Sequence, residues 1–374
     1  MELSKLTFIV TDQCNFNCTY CYQKKEHKTM DNATVETAVD FFYPHLTNLK
    51  DVRVGFYGGE PLLAYDRIVH AVELLLEKNK AGNKKISFFV TTNGSLLTEE
   101  KLDFFNRNKF SLMLSFDGLA QDKGRKEGTL EQTVDLMKRI RDYPGIAFEI
   151  NSVFTPGTIG DFFDSLRFII EQGGTDITFN ISTMEEWGPR DLAKLESELE
   201  RLTEYMVLFY RKNGKVPVKN FNAPGSGIFH CNAGCEHMAV SPGGELWGCF
   251  LFHDYFKTRK DDPQYPDYFV GALARFAGDE GLPTDYPGIK ANYSQLRQDF
   301  FQVEGKEKTF CFLCEDVQGC MVCPVNAAYS SGSLGKISCL NCRLVKMQAK
   351  ARKNFFQEMQ STDFSREDTR RNAN

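Results

Sequence analysis

Residues 6–21 read Leu6-Thr7-Phe8-Ile9-Val10-Thr11-Asp12-Gln13-Cys14-Asn15-Phe16-Asn17-Cys18-Thr19-Tyr20-Cys21. The first six are apolar or β-branched without a break, as expected of a strand buried on both faces. The loop after them carries three cysteines at C-x3-C-x2-C spacing. Three thiolates on one tight loop suit three irons of a [4Fe–4S] cube and leave the fourth iron open to a cosubstrate. Zinc is the plain alternative, but it prefers four closed ligands. This loop supplies three, and His27 is the nearest further candidate.

Working outward, similar runs recur at Val52–Tyr57, Ile86–Thr91, Phe110–Phe116, Ala147–Phe154 and Ile177–Ile181. Amphipathic helix patterns fall between them. Val35, Val39, Phe42 and Leu46 recur at helical spacing, as do Ile68, Val72 and Leu75 in a helix that Gly82 is expected to end. Thr129 followed by Gln132 predicts a capping box opening the helix Leu130–Arg141. Further helices are expected over Phe162–Glu171 and Arg190–Arg211.

Six strand–helix units in a row, joined by right-handed crossovers, make a parallel sheet with helices outside. Six are too few for a closed eight-stranded barrel. The expected fold class is therefore α/β, a partial (β/α)6 TIM-like barrel over residues 1–212. From about Lys215 helical periodicity fades while Gly, Pro, Cys and aromatic residues rise. That predicts a loop-rich module over 213–346, with its boundary near 212–225, that leans on metal staples. Residues 347–374 read as a polar helix and a frayed charged tail.

The chain has 374 residues, a formal net charge of −5, and charges of both signs mixed along its length. No concentrated basic face of the kind nucleic acid requires is visible. The N-terminus lacks the pattern of a secretory signal, and no run approaches the roughly 18 apolar residues of a membrane span. A cytoplasmic protein is expected. There the 12 cysteines point to metal or redox chemistry rather than disulfides. Three lie between 14 and 21 and nine between 231 and 342, so two cysteine-bearing modules are expected.

Two further features sharpen the first cluster. Tyr20 is an aromatic residue placed to lie over an adenine. The second strand ends in Phe56-Tyr57-Gly58-Gly59-Glu60-Pro61, where two glycines allow close backbone approach and Glu60 can receive a ligand ammonium. At these residues the chain resembles the radical S-adenosylmethionine (SAM) superfamily. Thr92-Asn93-Gly94 ends the third strand, Ser115-Phe116-Asp117-Gly118 the fourth, and Lys123-Gly124-Arg125-Lys126 follows. The resemblance covers about residues 4–212. It implies that Cys14, Cys18 and Cys21 hold a [4Fe–4S] cluster and that Gly58, Gly59 and Glu60 hold the methionine ammonium of SAM. Asn93 and Ser115 become candidates for ribose or methionine contacts, and Arg125 for the carboxylate. One electron from the cluster would release a 5′-deoxyadenosyl radical that abstracts hydrogen from substrate. Blander readings stand beside these: Asn93-Gly94 as a turn, and Arg125 as part of a solvated charge run.

The remaining cysteines are Cys231, Cys235, Cys249, Cys311, Cys314, Cys320, Cys323, Cys339 and Cys342. Eight thiolates suffice for two fully ligated cubes, and the spacing resembles the SPASM domain with its twin auxiliary clusters. By that resemblance Cys231, Cys235, Cys249 and Cys323 bind one cluster. Cys311, Cys314, Cys320 and either Cys339 or Cys342, with Cys342 favoured, bind the other. The departure is Cys320-x2-Cys323, where the family has three intervening residues. C-x2-C pairs at 311/314, 320/323 and 339/342 also fit two zinc ribbons.

The resemblance implies a peptide or protein substrate. The first reading is a maturase of a ribosomally made peptide, forming a thioether or carbon–carbon link or epimerising a residue. The second is an anaerobic sulfatase maturase forming formylglycine. Those enzymes place an Asp directly after the cysteine corresponding to Cys249, and here that position is Phe250. His253 and Asp254 are nearby bases, with a surface loop pair as the plainer account. The third reading, a non-catalytic zinc-stapled binding protein, requires the Gly58-Gly59-Glu60 and Ser115 matches to be coincidence. A low-potential donor such as flavodoxin or ferredoxin is expected. Because the chain starts almost on its first strand, either a separate leader-peptide recognition protein or the SPASM module itself is expected to bind the substrate.

Overall fold

The computed structural model describes residues 2–222, 231–276, 286–299, 302–307, 310–311, 313–317, 320 and 322–371. In chain order its elements are β1 Lys5–Thr11, α1 Asn32–Phe42, β2 Val52–Gly58, α2 Tyr65–Gly82, β3 Ile86–Thr92, α3 Glu99–Arg107, β4 Ser111–Ser115, α4 Gln121–Gly124, α5 Leu130–Ile140, β5 Ala147–Phe154, α6 Phe162–Glu171, β6 Ile177–Ile181 and α7 Pro189–Asn213. There follow β7 His237–Val240, β8 Glu245–Trp247, α8 Phe250–Phe256, α9 Tyr265–Tyr268, β9 Phe269–Ala272, α10 Tyr286–Asp299, β10 Gln302–Val303, α11 Pro324–Ser331, β11 Lys336–Ile337 and α12 Cys339–Arg371. The fold is α/β with parallel strands that do not close, a partial (β/α)6 barrel, as the sequence predicts.

The chain divides into two compact units that do not follow chain order. The first holds residues 1–115, 125–149 and 230–300. Its sheet runs β4-β3-β2-β1-β7-β8-β9, parallel from β4 to β7 and antiparallel from there. Every residue of β1 after Lys5 is buried, as an uninterrupted apolar run demands. In-register pairs Phe8↔Phe56, Phe56↔Val90 and Val90↔Leu112 carry the core across the strands. Phe110 anchors an aromatic cluster, with ring centroids 4.6 Å from Phe105, 5.4 Å from Phe88 and 6.1 Å from Phe56.

The second unit holds residues 116–124, 150–229 and 301–374. Here β5 pairs with β6 in parallel, Ile150 opposite Ile177 and Ser152 opposite Phe179. Glu198 of α7 is fully buried, accepts the Phe163 N–H at the start of α6 and pairs with Lys194 and Arg201. Helix α12 packs on α7 and its flank through Phe355, whose ring meets Tyr210 and Phe221, and through Lys350–Glu196 at 2.8 Å. No helix among the described residues is long and apolar enough to cross a membrane.

Several local expectations are corrected. Helix α2 ends on Asn83, left-handed at φ 51°, with Gly82 still inside it. The capping box at Thr129 does not form: its hydroxyl donates to the Lys126 carbonyl at 2.6 Å. A helix without a predicted pattern, α3, is started by Thr98, which accepts the Lys101 N–H, and by Glu99 and Glu100 against the helix dipole. The region after Lys215 is richer in structure than its composition suggests, because strands of three or four residues such as β7, β8 and β9 are too short for periodicity to show. Helix α12 begins at Cys339, earlier than expected. The end of the predicted frayed tail, 372–374, lies outside the described residues.

Phe110→Ala should cost about 3–5 kcal/mol of unfolding free energy, because a fully buried ring in an aromatic cluster leaves a cavity. Leu49→Ala, at a position 83% exposed, should stay within about 0.5 kcal/mol. Urea unfolding of the two variants checks both.

Candidate active site

Parallel, in-register strands bring their C-terminal ends to one edge of the sheet, and in the first unit that edge carries the residues singled out above. The loop of Cys14, Cys18 and Cys21 leaves β1, Gly59 and Glu60 follow β2, Asn93 follows β3, and Ser115 is the last residue of β4. Arg125 belongs to the same unit.

The two glycines make room for the cysteine loop itself. Gly58 sits at φ 150°, and a Cβ there would meet the Thr11 carbonyl at 2.1 Å. One on Gly59 would meet the Gln13 carbonyl at 2.2 Å and Cys14 Cβ at 2.9 Å. The Gly59 N–H donates to Thr11 and the Glu60 N–H to Gln13, at 3.0 and 2.8 Å. The close approach expected of a ligand is thus made by the loop's own backbone.

Glu60 is buried and knits the ends of β2 and β3 together. Its carboxylate accepts from the Asn93 N–H at 2.7 Å, the Thr92 hydroxyl at 2.7 Å and the Leu62 N–H at 3.1 Å. Burial pushes its pKa up to about 7 against the pull of these three donors. A carboxylate so placed gains from a ligand cation. The Asn93 side-chain amide donates to Asn15 of the cysteine loop at 2.9 Å. Asn15 in turn donates to Ser95 at 2.9 Å.

Cations line the other side of the loop residues. The Arg125 guanidinium is buried and lies 5.4 Å from the Tyr20 ring centroid, so it is no member of a solvated run. Lys126 Nζ stands 5.2 Å over the Phe16 ring, and Lys25 donates to the Phe16 carbonyl and to Asn17. Phe16, Lys25 and Lys126 were not expected at the site. The short aromatic–basic spacing between 16–20 and 125–126 becomes legible only once the loop is placed.

The thiols fit metal ligation. The Phe16 N–H points at Cys14 Sγ at 3.4 Å; burial raises the Cys14 pKa, and that N–H works against it. In the same unit, burial pushes Cys249 up to about 11, opposed by Lys5 and reinforced by nearby Cys231. Cys235 Sγ lies 3.3 Å from Ser294 Oγ. In the second unit, burial first and then Cys342, Cys320 and Cys314 push Cys311 up to about 11. A thiol opposed in this way by its neighbours gains from a shared cationic centre. Cys339 is exposed and its thiol donates to the Glu304 carbonyl at 3.1 Å. Cys323 caps α11.

His253 and Asp254 are not a surface loop pair. Both are buried on α8, where Asp254 accepts from Gln23 at 3.0 Å. The apolar residues around them, Phe252, Tyr255 and Phe256, pull the short helix inward.

Glu60 has a measurable signature. Its carboxyl holds a proton in the folded chain up to about pH 7 but releases it near 4.5 when unfolded. Unfolding free energy should therefore fall by roughly 3 kcal/mol from this group as pH rises from 4.5 to 7, and level off above. Urea unfolding across that window should show this slope in the wild type and lack it in Glu60→Gln.

Comparison with known proteins agrees with this geometry. The Radical SAM superfamily model matches residues 8–184. A cysteine-type anaerobic sulfatase-maturating enzyme of Clostridium perfringens is 29% identical over 174 residues, 42% of this chain and 45% of that enzyme. The structure of native anSMEcpe with bound AdoMet and Cp18Cys peptide superposes with a TM-score of 0.70 at 20% identity, covering 96% of both chains. Streptococcus suis SuiB bound to precursor peptide SuiA superposes with a TM-score of 0.55 at 16% identity, covering 87% of this chain and 72% of SuiB. Sequence and fold agree: residues 8–184 match the Radical SAM superfamily model, and the chain shares the fold of anSMEcpe.

Proposed function

We propose that this chain is a radical SAM enzyme that modifies a peptide or protein segment, as a maturase of a ribosomally synthesised peptide. The observation that carries the reading is the joining of the cysteine loop to a buried, ammonium-ready carboxylate at the adjoining strand end. A cluster held by Cys14, Cys18 and Cys21 would supply one electron to cleave SAM, yielding the 5′-deoxyadenosyl radical that takes hydrogen from substrate. Glu60 receives the methionine ammonium between the ends of β2 and β3. Arg125 offers its guanidinium to the carboxylate while Tyr20 shares that guanidinium through its ring. Asn93 keeps the loop in register through Asn15, and Ser115 stands ready for the ribose.

The second cysteine set supports the peptide class. After burial, Cys342, Cys320 and Cys314 oppose ionisation of Cys311, and Cys342 and Cys314 oppose that of Cys320, which supports a shared centre; Cys339 also opposes ionisation of Cys342, and its thiol donates to the Glu304 carbonyl. Cys231, Cys235 and Cys249 belong to the first unit, where Cys231 adds to the burial that raises the Cys249 pKa. Structures that share this fold hold peptides, which supports a peptide substrate here. A low-potential donor such as flavodoxin or ferredoxin would supply the electron.

Formylglycine formation is the second reading, favoured by the fold shared over 96% of both chains with anSMEcpe. The residue after Cys249 weighs against it. Phe250 is apolar and lies with its ring 3.9 Å from Tyr57, while the nearest carboxylate on that helix, Asp254, is buried and bound to Gln23 and Lys257. A cysteine-containing sulfatase peptide incubated with enzyme, SAM and dithionite separates the readings: formylglycine by mass spectrometry would favour the second.

Anaerobic reconstitution should load about 12 irons per chain, four per cube. Cys14→Ala should lose about four and abolish 5′-deoxyadenosine. Cys342→Ala should also lose about four, and Cys339→Ala none. Full loading with zinc in place of the last eight irons would leave a radical core on a zinc-stapled module.

SAM affinity should depend on Glu60 as an anion. The dissociation constant should rise about tenfold for each pH unit below 7 and lie flat above it, and Glu60→Gln should weaken binding at least tenfold at pH 8. Isothermal titration with SAM under anaerobic conditions checks both.

A further inference from the structure

Four ionisable side chains that this chemistry does not use meet beside the cysteine loop. Asp12 stands two residues before Cys14 and is buried. Its Oδ1 accepts from His253 Nε2 at 3.3 Å and from Lys257 Nζ at 3.1 Å. Lys257 Nζ also lies 3.4 Å from Asp254 Oδ1, and Asp254 Oδ2 accepts from Gln23, two residues after Cys21. The four side chains are 1–6% exposed. His253 and Asp254 belong to α8, Lys257 is its C-cap, and Cys249 is its N-cap. The same helix reaches the loop by an apolar route, since Phe250 packs on Tyr57, whose hydroxyl meets that of Tyr22 at 2.6 Å. Both the entry to the loop and its exit are fastened to one helix.

Asp12, His253 and Asp254 bring ligand atoms within 4.8 Å of one another, a spacing that would suit a metal ion. Lys257 decides otherwise. Its ammonium reaches both carboxylates and supplies the positive charge a metal would bring. Buried ion networks of this kind add little net stability but impose one arrangement on the groups they join, because any other leaves a charge uncompensated.

We propose that Asp12, Gln23, His253, Asp254 and Lys257 are positioning residues that clamp the cysteine loop onto the helix led by Cys249, and so hold the loop in the shape that binds SAM. The clamp rests on reading Cys14, Cys18 and Cys21 as the SAM-cluster loop. It takes no part in iron ligation. Its loss leaves the cluster in place but the loop imprecise.

The full chain, reconstituted anaerobically, tests this with the charge-balanced pair Asp254→Asn with Lys257→Met, with Gln23→Ala, and with His253→Leu against His253→Gln. Iron content, thermal midpoint, the SAM dissociation constant and the EPR spectrum of the dithionite-reduced protein with and without SAM are measured. With wild-type iron content and thermal midpoint, the charge-balanced pair should raise the SAM dissociation constant at least about fivefold and broaden the SAM-dependent EPR signal. Gln23→Ala, which buries no charge, should move both readouts in the same direction. His253→Gln keeps a donor for Asp12 and should stay within twofold of wild type where His253→Leu does not. Wild-type affinity and EPR line shape in both the charge-balanced pair and Gln23→Ala would overturn the clamp. Absence of SAM binding in the wild type itself would instead overturn the reading of the loop.

Discussion

Parallel pairing of β1 to β4 in register is the constraint on which the rest of the molecule depends. Thr11 sits opposite Gly58 after a one-residue shift past Ile9, and Thr92 opposite Leu114, so the strands end together. The loop of three cysteines, the Gly-Gly-Glu turn, Asn93 and Ser115 are then neighbours although they are spread over about a hundred residues of chain. Because the first two strand ends must touch, the second can carry no side chain at Gly58 or Gly59. Those glycines are a consequence of β-sheet geometry before they are a feature of ligand binding.

The second theme is charge held in reserve. Glu60 is buried with three donors and still has its pKa pushed up to about 7. Cys311, Cys320 and Cys342 are pushed up by burial and by neighbouring thiols. Such groups are costly to ionise alone and gain from a cation or cluster. Around Cys339 and Cys342 the protein adds compensation of its own: Lys306, Arg343, Lys346 and Lys350 line the same cavity, and Lys346 eases ionisation of Cys342. Near Cys14, Lys25 does likewise. The buried network of Asp12, His253, Asp254 and Lys257 differs, because it carries its own cation and needs no ligand.

Local signals are legible where one residue type does one job. The six parallel strands fell within a residue or two of their predicted limits, because strands buried on both faces are written as continuous apolar runs. Helix ends were read less well. Asn83 rather than Gly82 ends α2, and Thr129 spends its hydroxyl on Lys126 instead of a capping box, since several polar partners compete for each helix end. His253 and Asp254 look like surface residues in a list of letters. They are buried because Phe252, Tyr255 and Phe256 fill the inward face of α8 and Lys257 neutralises what comes with them.

The fold class, the three-cysteine loop at the end of a buried strand, and the carboxylate after the second strand are all legible in the chain of residues alone. Each is a local matter of residue spacing and hydrophobic period. Which side chains meet depends on how the backbone folds back: Arg125 with Tyr20, Lys126 with Phe16, Asn93 with Asn15, and Asp12 with Lys257 across some 245 residues of chain. Such pairings follow from the three-dimensional course of the backbone and from the need to compensate every buried charge, and neither leaves a mark on spacing along the chain.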